Sequence, residues 1–85
     1  MKNVIFEHNA FEDVSFWAKN DLKLLRKIVQ LIDNIQQTPF EGLGKPEALK
    51  HKLQGHWSRR IDEEHRLVYR IENNEIIVVS CRYHY

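Results

Sequence analysis

Trp57-Ser58-Arg59-Arg60-Ile61-Asp62-Glu63-Glu64-His65-Arg66-Leu67-Val68-Tyr69-Arg70-Ile71-Glu72-Asn73-Asn74-Glu75-Ile76-Ile77-Val78-Val79-Ser80-Cys81-Arg82-Tyr83 is the stretch that decides the fold. Three runs within it, residues 57–62, 65–72 and 75–83, are rich in β-branched and aromatic residues, as strands are. Glu63-Glu64 and Asn73-Asn74 stand between them as hairpin turns. In the middle run the odd positions Leu67, Tyr69 and Ile71 are apolar, whereas the even ones include Arg66 and Arg70. In the last run Ile77, Val79, Cys81 and Tyr83 are the more apolar set, which gives the odd face to the core. The even face then collects Arg60, Arg66, Arg82 and His84 on one side of the sheet. Pairing odd with odd requires an odd-length loop or a bulge at both hairpins. Arg59 falls on the core parity and is expected to snorkel at the sheet edge.

Upstream, a short strand around residues 3–6 precedes two helical segments. Phe11, Val14 and Ala18 recur at three and four, with Trp17 widening the stripe. Asp21 is placed to cap a second helix, in which Leu24, Leu25, Ile28, Leu31, Ile32 and Ile35 keep the helical period. Thr38-Pro39 ends it, because the residue before proline disfavours the α region and proline has no N–H. The two helices read as an antiparallel pair, with Phe11, Phe16 and Trp17 as packing residues. Residues 39–46 hold both prolines and two of the three glycines, an irregular connection of the kind that often carries function. A single helical turn over residues 47–52, closing at Gly55, would put Glu47, Lys50 and His51 on one face. The fold class is α+β: an N-terminal strand, two antiparallel helices, then a mostly antiparallel C-terminal sheet, in one domain over residues 1–85.

Composition narrows the function classes. With 85 residues, 42% hydrophobic, the chain has room for one core and none for a second domain. Its longest aliphatic run, residues 76–79, is far short of the roughly 20 residues a membrane helix needs. The start reaches Glu7 after three apolar residues, which is no secretory h-region. Lone Cys81 excludes an internal disulfide and agrees with a reducing, cytoplasmic setting. The net charge of +1 hides an asymmetry: residues 1–44 carry five Lys/Arg against six Asp/Glu, residues 45–85 eight against six, with four of the five histidines. Between 45 and 60, five cations oppose only Glu47, with Trp57 among them, a pattern that fits a phosphate-binding surface as well as a solvated one.

Glu47, Lys50 and His51 on the turn, with Arg60, Arg66 and His84 on the sheet, supply a carboxylate base, an imidazole acid and fixed cations. That set suffices to cut RNA without a metal. A base takes the 2′-hydroxyl proton, arginines stabilise the phosphorane, and an acid protonates the leaving 5′-oxygen. DNA lacks the attacking group. The histidines and Cys81 show no zinc-ligand spacing, and no phosphate-loop or dinucleotide motif is present, so no cofactor is expected. On composition and parity alone the reading is an anion-binding α+β domain with RNase chemistry within reach. Each residue also has a plain reading: Glu47 pairing with Lys50 or Lys45, Arg66 balancing Glu63 or Glu64, His84 as a terminal residue.

From Thr38 onward the chain resembles the YoeB family of toxins, within the RelE-type superfamily of toxin–antitoxin systems. The resemblance rests on Thr38-Pro39-Phe40-Glu41-Gly42, Gly44-Lys45-Pro46-Glu47, Leu49-Lys50-His51, Trp57-Ser58-Arg59-Arg60-Ile61, Glu63-Glu64-His65-Arg66-Leu67-Val68-Tyr69 and Cys81-Arg82-Tyr83-His84-Tyr85. None of these motifs departs from the family pattern. The resemblance implies a RelE-like fold and a cytoplasmic, ribosome-dependent endoribonuclease cutting mRNA in the 30S A site. It implies a YefM-type antitoxin as partner, and a toxin homodimer. It makes Glu47 the general base, Arg66 the phosphate-stabilising arginine, His84 the general acid and Tyr85 a further residue needed for cleavage. Lys50, His51 and Arg60, with Arg82 from the parity argument, are expected to contact substrate. Two other classes compete: a gyrase-binding toxin of the ParE branch on the same fold, and a module that blocks the ribosome or RNA sterically. The first has no need of the Glu47/Arg66/His84/Tyr85 set, and the second would survive its removal.

Overall fold

In the computed structural model, which describes residues 1–83, strand β1 (Val4–Phe6) leads into helix α1 (His8–Asn20) and, after Asp21, helix α2 (Leu22–Gln37). The Asp21 carboxylate accepts the Leu24 N–H at 3.1 Å, the cap its position predicts. α2 stops before Thr38-Pro39 and buries Ile28, Leu31 and Ile35. On α1 the core line is buried Ala10 and Trp17 with half-buried Val14, not Phe11, Val14 and Ala18. The Trp17 indole N–H donates to the Cys81 carbonyl at 2.8 Å and fixes the helix on the sheet. Phe11, six positions earlier and so about a third of a turn away, is 61% exposed.

The remaining elements are β2 (Glu47–Ala48), a 3₁₀ turn (His51–Leu53), β3 (Trp57–Arg60), β4 (Arg66–Glu72) and β5 (Glu75–Ser80). They form one mixed sheet in the order β1-β5-β4-β3-β2, parallel between β1 and β5 and antiparallel elsewhere. The expected helical turn over 47–52 is therefore replaced. Glu47 and Ala48 pair with Ser58 and Trp57, and the Leu49 N–H bonds the His56 carbonyl at 2.9 Å. A one-turn helix offers little cooperativity, whereas an edge-strand ladder satisfies the same backbone groups at once.

The first hairpin has the odd-length loop that parity requires: residues 61–65 join Arg60 to Arg66 across the ladder. The second does not. Asn73 and Asn74, both left-handed at φ 52° and 61°, make a two-residue turn that pairs Ile71 with Ile76 and Tyr69 with Val78. Even-numbered Ile76 and Val78 thus join the core, contrary to the odd assignment. The run 76–79 is apolar on both parities, so alternation carries no information there, and the Asn-Asn turn decides. One register shift then places Ser80 opposite Val68, with Val79 as the extra residue, and returns Cys81 to the core.

Both helices bury their lines against one sheet face, around Ile61, Leu67, Tyr69, Ile76, Val78 and Cys81. Arg59 lies on this face and does not snorkel. It is fully buried, and all its N–H groups are used. Nε donates to the Tyr69 hydroxyl at 3.1 Å. Nη1 donates to Asn34 Oδ1 at 2.6 Å and the Leu43 carbonyl at 3.0 Å, and Nη2 to the carbonyls of Thr38 at 2.7 Å and Glu41 at 2.9 Å. Tyr69 passes its own proton to the Pro39 carbonyl at 2.6 Å. One side chain therefore binds the irregular 38–44 connection to the sheet. Gly44, at φ +79°, closes that connection by accepting the Arg60 N–H at 2.7 Å. No described helix is long and apolar enough to cross a membrane.

Candidate active site

The second sheet face, which the helices leave uncovered, carries the first two site residues. Glu47 on β2 sits opposite Ser58 on β3. Arg66, the first residue of β4, donates from Nη1 to Ser58 Oγ at 3.1 Å and stands 3.8 Å from Glu47 Oε1. The Arg66 side chain is only 16% exposed while that of Glu47 is 58% exposed. A carboxylate open to an incoming group thus stands beside a guanidinium held in place from beneath. Such a pair can accept a proton at one oxygen while a fixed cation faces whatever anion docks against it.

Lys50 and His51 line one open hollow with Glu47, although no helical turn puts them there. His51 takes a left-handed backbone, φ +57°, where the chain turns from the edge strand into the 3₁₀ turn. Arg60 is exposed and directly opposite Arg66. Two like charges facing each other across a ladder are unfavourable unless an anion lies near. Arg70, further along the face, is instead clasped by Glu72 at 2.8 Å and Glu7 at 2.9 Å, hydrogen bonds that hold its pKa above the ordinary value. Arg70 is thus closed by two short bonds to carboxylates, while Arg66 stands beside the half-exposed carboxylate of Glu47 at 3.8 Å.

Arg82 does not join this group. Its guanidinium lies 3.5 Å from the Phe16 ring centroid and lines a hollow with α1 residues. Even parity placed it beside Arg66, but the ladder ends at Ser80 and the chain beyond no longer follows strand alternation. His84 and Tyr85 lie outside the described residues.

The segment before them is strapped down. The Cys81 N–H donates to Asp13 Oδ2 at 2.9 Å, its carbonyl accepts from Trp17, and its thiol is pushed up to about 12 by burial and then by Asp13. The thiol is thus a neutral core group, not a nucleophile. The Tyr83 N–H donates to His65 Nδ1 at 2.7 Å, and the Arg66 N–H to the Tyr83 carbonyl at 3.1 Å. Two residues of this arrangement escape sequence reasoning. Ser58 carries no motif of its own, and only its parity with Arg60 and Arg66 marks it. His65 lies on the core parity and within the motif of residues 63–69, but nothing in that motif marks its ring as a hydrogen-bond acceptor. Among the described residues, no group of three or more His, Cys, Asp or Glu is placed to share a metal ion.

Comparison with known proteins bears on the family and the fold. A family model described as YoeB-like toxin of bacterial type II toxin-antitoxin system matches residues 6–85. A toxin YoeB of Mycobacterium bovis is 52% identical over 85 residues, all of both chains. The structure of a YoeB/ParE toxin from Agrobacterium tumefaciens superposes with a TM-score of 0.96 at 45% identity, covering both chains completely. The toxin in a heterotetrameric YoeB-YefM complex from Staphylococcus aureus reaches 0.92 at 46% identity, covering 100% of this chain and 99% of that one; a YoeB dimer from the same organism is also solved. With its fold and most of its length shared with these proteins, the chain belongs to the YoeB family of toxins of type II toxin–antitoxin systems.

Proposed function

We propose that this toxin is a ribosome-dependent endoribonuclease that cuts mRNA in the 30S A site and so arrests translation. The observation that carries the reading is the meeting of Glu47 and Arg66, from different strands, on the sheet face opposite the helices, with Lys50 and His51 lining a hollow beside Glu47. In the proposed reaction Glu47 takes the proton of a ribose 2′-hydroxyl, whose oxygen attacks the adjacent phosphorus. Arg66 stabilises the charge on the phosphorane oxygens. The P–O5′ bond breaks as His84 protonates the leaving oxygen, giving a 2′,3′-cyclic phosphate and a 5′-hydroxyl. Tyr85 supports this step, and Lys50, His51 and Arg60 hold the message by its phosphates. Arg82 contributes from the α1 side, where its guanidinium lies over the Phe16 ring. The chemistry uses side chains alone.

The partners follow from the same reading. A YefM-type antitoxin would cover the cationic face with a segment that folds on binding, and two toxin copies would pair; the Staphylococcus aureus relative is solved both in a complex with YefM and as a dimer. Ribosomes and message place its action in the cytoplasm. The test is a cleavage assay on programmed ribosomes, wild type beside His84→Gln, with 3′ ends mapped by primer extension and assayed for cyclic phosphate. A-site cuts by the wild type alone support the reading. Equal arrest by both proteins without any cut replaces it with a steric block, and arrest of gyrase instead of ribosomes replaces it with the ParE-type activity.

A further inference from the structure

We infer that His65 is a positioning residue: its ring, acting as a hydrogen-bond acceptor, holds Tyr83 in a left-handed backbone conformation and so sets the direction in which the chain leaves the sheet. The inference deepens the nuclease reading, on which the roles of His84 and Tyr85 rest.

Tyr83 has φ +62°, a left-handed conformation unfavourable for a residue with a side chain, and it persists only where its surroundings enforce it. Both of its backbone groups are taken by consecutive residues: the N–H by His65 Nδ1 at 2.7 Å and the carbonyl by the Arg66 N–H at 3.1 Å. Because the Tyr83 N–H donates, Nδ1 carries no proton and the ring is the Nε2–H tautomer, with Nε2 facing Glu64 Oε1 at 3.6 Å. The ring itself is over-determined. His65 is 7% exposed, its ring stands edge-on to Trp17 at 4.8 Å between centroids, and its backbone N–H donates to Asp62 Oδ1 at 2.7 Å. Cys81 is docked independently through Asp13 and Trp17. Loss of the His65 acceptor therefore frees the Tyr83 N–H without undocking the strand. The next residue, Arg66, reaches Ser58 and Glu47 with its side chain. One dipeptide thus ties the exit of the chain end to the Glu47–Arg66 pair.

The test uses the full chain. Imidazole ¹⁵N shifts of the wild type read the tautomer. His65→Phe keeps the ring packing and removes the acceptor, and His65→Asn returns an acceptor near the Nδ1 position. His65→Phe is expected to speed Tyr83 amide exchange at least about tenfold. It is also expected to slow single-turnover cleavage on programmed ribosomes by about 10–100-fold with ribosome binding unchanged, and His65→Asn to restore both. An Nδ1–H tautomer in the wild type, Tyr83 exchange unchanged in His65→Phe, or cleavage equal in the two overturns the assignment. Should His65→Phe fail to fold, the wild-type tautomer and His65→Asn decide. A wild type that shows the tautomer and releases Tyr83 on substitution but cuts no RNA leaves the clamp standing and removes the nuclease reading.

Discussion

Two arginines on neighbouring strands show what each face of the sheet is for. Arg59 is sealed under the helices, with every N–H paired to a hydroxyl, an amide or a carbonyl and no carboxylate in the set. Arg66, across the ladder and one step along, is held by Ser58 and faces Glu47 on the uncovered side. The first uses its charge to draw loop carbonyls inward, so its worth is stability. The second is fixed in place beside Glu47, and in the proposed reaction its charge serves recognition and catalysis. The same residue type serves folding or function according to which side of a strand it occupies.

The sharpest way to break this contrast is at Glu47. Glu47→Gln keeps the shape and removes the base, and is expected to lower single-turnover cleavage by about 10²–10⁴-fold, with Tm nearly unchanged, since the Arg66 contact is exposed and long. Activity and melting curves measured together check it; equal losses in both would make Glu47 a structural residue. The mirror experiment is Arg59→Met. Stranding the acceptors of the 38–44 connection should cost about 3–5 kcal/mol and lower Tm by roughly 15–30 °C, with cleavage retained at temperatures where the variant stays folded. A variant that melts like the wild type but cannot cut would invert the comparison.

Smaller effects sharpen it. A Cβ at Gly44 would lie 2.9 Å from Leu31 Cδ2 and 3.0 Å from both Arg59 Cβ and the Arg60 carbonyl, at a backbone φ that side chains rarely adopt. Gly44→Ala should therefore destabilise by about 1–3 kcal/mol, read by urea denaturation. Cys81 supplies a pH test. Its folded value is raised to about 12 from an ordinary 9.0, so its contribution is complete below pH 9 and is lost as pH rises towards 12. Between pH 9 and 10 that loss is about 1 kcal/mol, and Cys81→Ala should flatten this part of the stability profile.

Much of this was legible along the chain. The period of α2, its Asp21 cap and its proline stop are local signals, and the structure reproduces each. The parity of residues 57–71 is equally local, and it brings Arg60 and Arg66 to one face with Ser58. Legibility stopped where the local signal was degenerate. Residues 76–79 are apolar on both faces, so register passed to the Asn73-Asn74 turn and a bulge. Arg82 lies beyond the ladder, where alternation no longer applies.

By itself, then, the amino-acid sequence determined the α+β class, the start and stop of α2, and the presence of Glu47-type and Arg66-type chemistry in one chain. Those depend on periodicity, capping and turn preferences that act over a few residues. Tertiary structure alone decided that Arg59 is buried, that Glu47 stands on an edge strand 3.8 Å from Arg66, and that His65 grips Tyr83. Each of these joins segments distant in the chain or separated by a loop. A buried cation or an imidazole acceptor is satisfied only by groups that the fold has already brought within about 3 Å.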